Sequence, residues 1–297
     1  MEELMSCRLF PEQQCIGAGS AESLLPSLIW ACSRNKDLQR GTRIHNKLRQ
    51  SSLPQKNFLD ALVTMYAKCG DLQKAQALLN THGSNSLIPW NALIAGYARQ
   101  RKGQNALHCF ENMQRKGLFP SAVTYVCILK ACAAIGEIDK GKQIHFEIPR
   151  QGLLEHHVKL GNALVDMYAK CGALCQAKIV LENLPSRNVI SWNALLRGYV
   201  QNRQGQQALH CFEQMQHEGI RPDVVTYLCI LNKACAMIGA IDNGKKIHDE
   251  IVPQGLLKND VGLVGALMDM YAKCGALHQS QSVLEQLPSW MLSLGVL

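Results

Sequence analysis

No stretch of this 297-residue sequence approaches the ~20 consecutive apolar residues that a membrane-crossing helix requires, so no membrane partner is expected. Sustained alternation of apolar and polar residues is missing as well, and with it any sign of a sheet. No C-x-x-C pair occurs: Cys171 and Cys175 are four apart, and Cys127 and Cys132 five apart. A zinc site built on such a pair is therefore not expected. Neither the phosphate-binding G-x-x-x-x-G-K-[ST] loop nor the G-x-S-x-G nucleophile elbow is found, so no cofactor is assigned. Nothing in the first residues reads as a secretory leader, so secretion is not expected. Residues 1–21 carry one base (Arg8) and three acids (Glu2, Glu3, Glu12), which makes a poor organelle transit peptide.

What is present reads as an ordinary folded chain, 47% hydrophobic and 18% charged, too apolar for disorder. The formal charge of +8 suits a polyanionic partner, although many proteins without one are as basic. Thirteen cysteines would suggest disulfides in a short secreted chain, but nothing here marks secretion.

The dominant signal is repetition. Met-Tyr-Ala-Lys-Cys-Gly occurs at Met65–Gly70, Met167–Gly172 and Met270–Gly275, at offsets of 102 and 103. Trp90-Asn91-Ala92-Leu93 returns as Trp192-Asn193-Ala194-Leu195, and His108-Cys109-Phe110 as His210-Cys211-Phe212. Fixed-period self-similarity is the signature of a repeat architecture. The extra residue of the second interval is Asn232, since Leu129-Lys130-Ala131 becomes Leu231-Asn232-Lys233-Ala234. An insertion inside a helix predicts a bulge or register shift there.

Each period divides into segments of 31, 35 and 36 residues, at 158–188, 189–223 and 122–157. Each segment reads as two short amphipathic helices. In 189–223, Trp192, Leu195, Leu196 and Tyr199 share one helical face, and Ala208, Leu209, Phe212 and Met215 another. Gly205 lies near the turn between them, and Gly219 with Pro222 ends the second helix. A helix pair of this size cannot bury its apolar face alone, and stacking on its neighbours buries it. The expected fold is all-α, a superhelical solenoid of helix-turn-helix repeats.

These motifs are similar to pentatricopeptide repeats of the plant class in which standard (P), long (L) and short (S) motifs rotate. "NVISWNALLRGYVQ…ALHCFEQMQHEGIRPD" resembles P, "VTYVCILKACAAIGEIDKGKQIH" resembles L and "LGNALVDMYAKCGAL" resembles S. The resemblance implies a right-handed superhelix and an array over 22–291: L 22–55, S 56–86, P 87–121, L 122–157, S 158–188, P 189–223, L 224–260 and S 261–291. Segment 1–21 and tail 292–297 lie outside it. The competing reading is a protein-binding scaffold of tetratricopeptide repeats. Leu195, Tyr199, Ala208 and Phe212 suit that pattern too, but segments of 31 and 36 do not suit a uniform ~34-residue repeat.

The resemblance further implies binding of single-stranded RNA at one base per repeat, in a mitochondrion or chloroplast. The fifth and last residues of a repeat would face the base edge, and the second residues of adjacent repeats would clamp the base. Carried over by position, Asn193 with Asp223 resembles a U-preferring pair, Asn162 with Asn188 a pyrimidine-preferring pair, and Asn91 with Ser121 a C-preferring pair. Ile190 and Val225 would clamp the U. With RNA running 5′ to 3′ along the chain, residues 87–223 would read C-N-Y-U. For each asparagine the plainer alternative is a polar residue capping a helix N-terminus. Val126, Leu228 and Pro26 occupy the fifth place of the L motifs, and Gly265 that of the last S motif; none can hydrogen-bond a base through its side chain. Asp60 with Ser86 has no counterpart in that code.

His145-Phe146-Glu147 and His248-Asp249-Glu250 match the H-x-E fragment of zinc deaminases, a domain that some relatives carry. Both histidines recur at one repeat position, where the first unit has His45, which marks a repeat feature. Cys69, Cys171 and Cys274 recur likewise, as packing thiols without metal or disulfide. The expectation is a binder without catalytic residues. It would mark sites for C-to-U editing by a deaminase acting in trans, or serve splicing or stability. The apolar ending Trp290–Leu297 stands where a solenoid needs a polar cap, as in a truncated chain or one docking a partner there.

Overall fold

The computed structural model describes residues 18–285 except 52, 149–151 and 259. Most of segment 1–21, the end of the last expected motif and the apolar ending at Trp290–Leu297 lie outside the described residues. Among the described residues every regular element is helical.

The chain divides into two compact units, Met1–Ile135 and Gly136–Leu297. The first holds α1 (Ala18–Asn35), α2 (Leu38–Gln50), α3 (Leu59–Cys69), α4 (Leu72–His82), α5 (Leu87–Arg99), α6 (Gly103–Arg115) and α7 (Ala122–Ile135). A 3₁₀ turn, Gln55–Phe58, leads into α3. The second unit holds α8 (Ile138–Glu147), α9 (Val158–Lys170), α10 (Leu174–Glu182), α11 (Val189–Gln201), α12 (Gly205–His217), α13 (Val224–Cys229), a π segment (Ile230–Cys235), α14 (Ala236–Ile238), α15 (Ile241–Ile251), α16 (Val261–Lys273) and α17 (Leu277–Glu285).

Within each unit the first helix of a pair packs against the first helix of the next. In the first unit α1 meets α3, α3 meets α5 and α5 meets α7; in the second, α9 meets α11 and α11 meets α13. This stacking buries the apolar faces that no single pair could cover. Trp90, Tyr66, Tyr125 and Phe110 lie fully buried along it in the first unit, and Tyr227 in the second.

Each pair turns on a residue in the left-handed region: Lys36, Gly70, Arg101, Gly136, Gly172, Arg203, Gly239 and Gly275. After Lys36, Gly70, Arg101, Gly172, Arg203, Gly239 and Gly275 the next residue's N–H reaches a carbonyl five residues back, as in Asp71 to Tyr66 (3.0 Å) and Gln204 to Tyr199 (2.9 Å). Those bonds satisfy carbonyls that a helix end leaves free. Glycine takes this conformation without strain, whereas Lys36, Arg101 and Arg203 hold it at a cost of about 1 kcal/mol.

The repeated hexapeptide is a packing module. Its methionine fills the space of a missing side chain: a β-carbon at Gly41, Gly141 or Gly244 would collide with the thioether of Met65, Met167 or Met270. Its tyrosine hydroxyl pairs with a histidine Nδ1, in His45–Tyr66 (2.9 Å), His145–Tyr168 (3.0 Å) and His248–Tyr271 (3.0 Å). Its alanine lets a neighbouring helix approach, because Gly96 sits on Ala67 and Gly198 on Ala169. Its cysteine thiol points at a backbone carbonyl, Cys69 to Cys32 at 3.8 Å and Cys274 to Cys235 at 3.9 Å. Its glycine closes the turn.

The inserted Asn232 lies in the π segment Ile230–Cys235. The expected register shift is therefore absorbed as a π-bulge. One extra residue enters the helix, and both Tyr227 before it and Cys235 after it remain buried.

Candidate nucleic-acid interface

The surface expected to face a ligand is built where first helices begin. Ser86 caps α5 through its side chain, with Ile88 N–H donating to Oγ at 3.2 Å. Asn188 caps α11, accepting from Ile190 N–H (2.9 Å) and Ser191 N–H (3.1 Å). Asp223 caps α13, accepting from Thr226 N–H at 2.9 Å. Ahead of α7, Ser121 and Thr124 bond reciprocally: Ser121 N–H donates to Thr124 Oγ1 (3.0 Å) and Thr124 N–H to Ser121 Oγ (3.3 Å). Asn188 with Ser191 and Asp223 with Thr226 form the same reciprocal capping box.

A cap fixes the direction of the side chains in the first helical turn. The second residue after each of these caps points away from the core, and in all four it is aliphatic. Ile88 is 52% exposed, Val123 60%, Ile190 58% and Val225 46%. Each keeps about half of its side chain in water at an equivalent place of a repeat, where it is open to a ligand. Ile190 and Val225 were expected at this place from the sequence; Ile88 and Val123 are their equivalents in the first unit.

In the repeats that begin at 87, 158 and 189 the fifth residue lies inside the helix, one turn past its first residue. Asn91, Asn162 and Asn193 therefore do not cap helices, and the plainer alternative does not hold for them. Capping belongs to the last-residue partners Asn188 and Asp223, and to Ser121 through its bond to Thr124 N–H. The sequence carried that signal as S-x-x-T at 121–124, N-x-x-S at 188–191 and D-x-x-T at 223–226.

Asn193 and Asp223 are brought together. Asn193 Nδ2 donates to Asp223 Oδ1 at 3.0 Å, and Thr226 Oγ1 donates to Asn193 Oδ1 at 2.7 Å. Partial burial pushes the Asp223 carboxyl up. Hydrogen bonds from the Thr226 N–H, Asn193, the Thr226 hydroxyl and the Val225 N–H outweigh it, so its pKa lies below the ordinary value. Asp223 is thus an exposed, ionised acceptor beside a buried amide. The other two asparagines are less engaged. The side-chain oxygens of Asn91 and Asn162 are buried and take no hydrogen bond from the protein. Such an acceptor costs about 1–3 kcal/mol until a donor reaches it.

Asp60 accepts from Ser84 Oγ at 2.8 Å rather than meeting Ser86, whose side chain is spent on the α5 cap. Val126 and Leu228 are half-buried, and Pro26 sits within α1. His145 and His248 are held by tyrosines across a helix pair, and burial lowers the pKa of both. Among the described residues no group of three His, Cys, Asp or Glu side chains is placed to hold a metal ion. The cysteines of the described residues are free thiols, and burial pushes Cys109 and Cys235 up to about 12.

Residues 85–134 and 187–236 match the PPR repeat family, and residues 123–153 match the PPR repeat. The chain carries pentatricopeptide repeats. An Arabidopsis thaliana pentatricopeptide repeat-containing protein named as chloroplastic is 35% identical over 88% of this chain and 32% of its own length. Another from Arabidopsis thaliana, named as mitochondrial, is 32% identical over 94% of this chain and 31% of its own. The chain thus spans about a third of the length of these relatives. The crystal structure of the pentatricopeptide repeat protein PPR10 with an 18-nt psaJ RNA element shares the fold. Its TM-score is 0.68 at 21% identity, over 87% of this chain and 38% of that one. The pentatricopeptide repeats here accordingly stack as first helices against first helices, with the capped ends carrying the exposed aliphatic residues.

Proposed function

We propose that this chain binds single-stranded RNA in an organelle, one base to a repeat, and that its motifs belong to the rotating P, L and S class. The observation that carries the reading is the recurrence at helix entrances of an exposed aliphatic residue followed, three places on, by a polar fifth residue, as in Ile88 with Asn91 and Ile190 with Asn193. An aliphatic side chain in water offers a face on which a base stacks, and a polar residue one turn further reads its edge. Organellar relatives and the RNA-bound PPR10 structure support the same reading.

In this reading Ile190 and Val225 clamp a uracil, whose N3–H is accepted by the Asp223 carboxylate. Asn162 with Asn188 takes a pyrimidine and Asn91 with Ser121 a cytosine. The half-buried Val126 and Leu228 make no edge contact, so the L motifs space the strand. The chain's role is to mark an RNA site for C-to-U editing by a deaminase acting in trans, and it needs no cofactor for that.

The test is affinity for a short RNA carrying C-N-Y-U against the same RNA with purines at the three read places, over a range of salt. Preference for the pyrimidine sequence, with affinity falling as salt rises, supports the reading. Equal affinity for both sequences removes base reading, and absence of binding turns the reading toward a protein-binding scaffold.

A further inference from the structure

Thr226 is fully buried and lies three residues after Asp223. Its Oγ1 sits 2.7 Å from Asn193 Oδ1 and 2.8 Å from Asp223 Oδ1, and it accepts from the Asp223 N–H at 3.1 Å. The capping box accounts for the bond from the Asp223 N–H and for the bond that Thr226 N–H gives the carboxylate. It does not account for the approach to Asn193, which belongs to the preceding repeat.

The hydrogen bonds admit one orientation of the Asn193 amide. A carboxylate oxygen only accepts, so the amide must turn Nδ2 toward Asp223 Oδ1, as it does at 3.0 Å. Asn193 Oδ1 then faces the threonine hydroxyl, whose one proton lies between it at 2.7 Å and Asp223 Oδ1 at 2.8 Å. Rotating the amide by half a turn would set two acceptors, Asn193 Oδ1 and Asp223 Oδ1, against each other. With both Oδ1 atoms committed inside the protein, the groups left to a base are the second Nδ2 proton and Asp223 Oδ2.

We infer that Thr226 is a positioning residue of this base site, fixing the amide of Asn193 so that the pair discriminates uracil from cytosine; the inference rests on the RNA reading above. Uracil offers a donor at N3 flanked by carbonyl acceptors, which matches a carboxylate oxygen beside an amide proton. Cytosine offers an acceptor at N3 and would set it against the carboxylate.

The repeats supply an internal control. Thr124, at the equivalent place after Ser121, is equally buried and joins the same reciprocal capping bonds, at 3.0 and 3.3 Å. Yet Asn91 Oδ1 takes no hydrogen bond from the protein. Ser191 after Asn188 also bonds its own cap, donating to the Asn188 carbonyl at 2.8 Å, while Asn162 Oδ1 takes none. Among these three repeats the reach to the asparagine is particular to Thr226.

The experiment measures affinity for RNA carrying C-N-Y-U and for the same RNA with C in place of U, using wild type, Thr226→Val, Thr226→Ser and Thr124→Val, with a thermal melt of each. The expected result is a U-over-C preference that falls about tenfold in Thr226→Val, the loss of one hydrogen bond of about 1.4 kcal/mol, and returns in Thr226→Ser. Thr124→Val, which loses the same capping bond, keeps the wild-type preference. If Thr226→Val binds RNA with the wild-type U-over-C ratio, the threonine only caps its helix and the inference is overturned. If wild type itself binds no RNA, or shows no preference for U, the uracil reading fails and the inference fails with it.

Discussion

Asp223 serves two purposes with one carboxylate. Its Oδ1 closes the N-terminus of α13 and receives the Asn193 amide, and its other oxygen takes no part in those bonds. Asp223→Asn replaces an acceptor with a group that can also donate, so the preference for U over C is expected to narrow in a binding assay while the cap is kept. The three histidine–tyrosine pairs make a separate prediction. Desolvation lowers the pKa of His45, His145 and His248 below 6.5, with Arg49, Lys74 and His82 adding to it at His45 and Asp249 opposing it at His248. The unfolded chain therefore takes up these protons first as pH falls. Their contribution to stability is complete above pH 6.5 and declines as pH drops below it. A thermal midpoint lower at pH 5.5 than at pH 8 is expected, with a smaller drop once His145 and His248 are replaced by phenylalanine. At this scale the sequence was partly legible. The histidines could be read as a repeat feature because His45, His145 and His248 recur, but their tyrosine partners stand 21 to 23 residues away and are met only once the helices pack.

Among the elements, glycines with different surroundings respond in opposite ways to alanine. A β-carbon at Gly198 would lie 2.8 Å from the Ala169 β-carbon, which cannot swing aside. Gly198→Ala is expected to cost about 1–3 kcal/mol by forcing α11 off α9. Gly265, inside α16, would meet nothing within 4 Å. Gly265→Ala is expected to stabilise by about 0.5–1 kcal/mol. Gly275 also has open space, but its φ of +77° makes alanine strained, at a cost of about 1 kcal/mol. Chemical denaturation of the three variants checks signs and sizes. The π segment shows what repetition makes legible: the offset of 103 in place of 102 locates the extra residue at Asn232 from the sequence alone. Deleting Asn232 is expected to restore a regular α-helix over this stretch without lowering the thermal midpoint. Helix caps were less legible. Ser121, Asn188 and Asp223 stand at capping-box spacing, but a place at a repeat end suits base contact equally, and the capping role is fixed by backbone geometry.

For the molecule as a whole, a repeat chain gains stability from neighbour interfaces, and its ligand surface is the sum of many small equivalent sites. The class of fold followed from period and helical spacing, because each unit of 31 to 36 residues is too small to be buried alone. Which apolar residues face water did not follow from period and spacing; Ile190 and Val225 were singled out only by the family resemblance. Ile88, Val123, Ile190 and Val225 are as aliphatic as the core, and only the cap two places before each turns them outward. A formal charge of +8 adds a general attraction for a polyanion that cannot by itself choose a sequence. The most direct measurement is therefore comparative: affinity of the chain for a short single-stranded RNA carrying C-N-Y-U, beside the same RNA with purines at the three read places, at moderate salt. The account predicts tighter binding to the pyrimidine sequence, with the advantage reduced when Asn193 and Asp223 are both changed to alanine. Equal affinity for the two RNAs would contradict it.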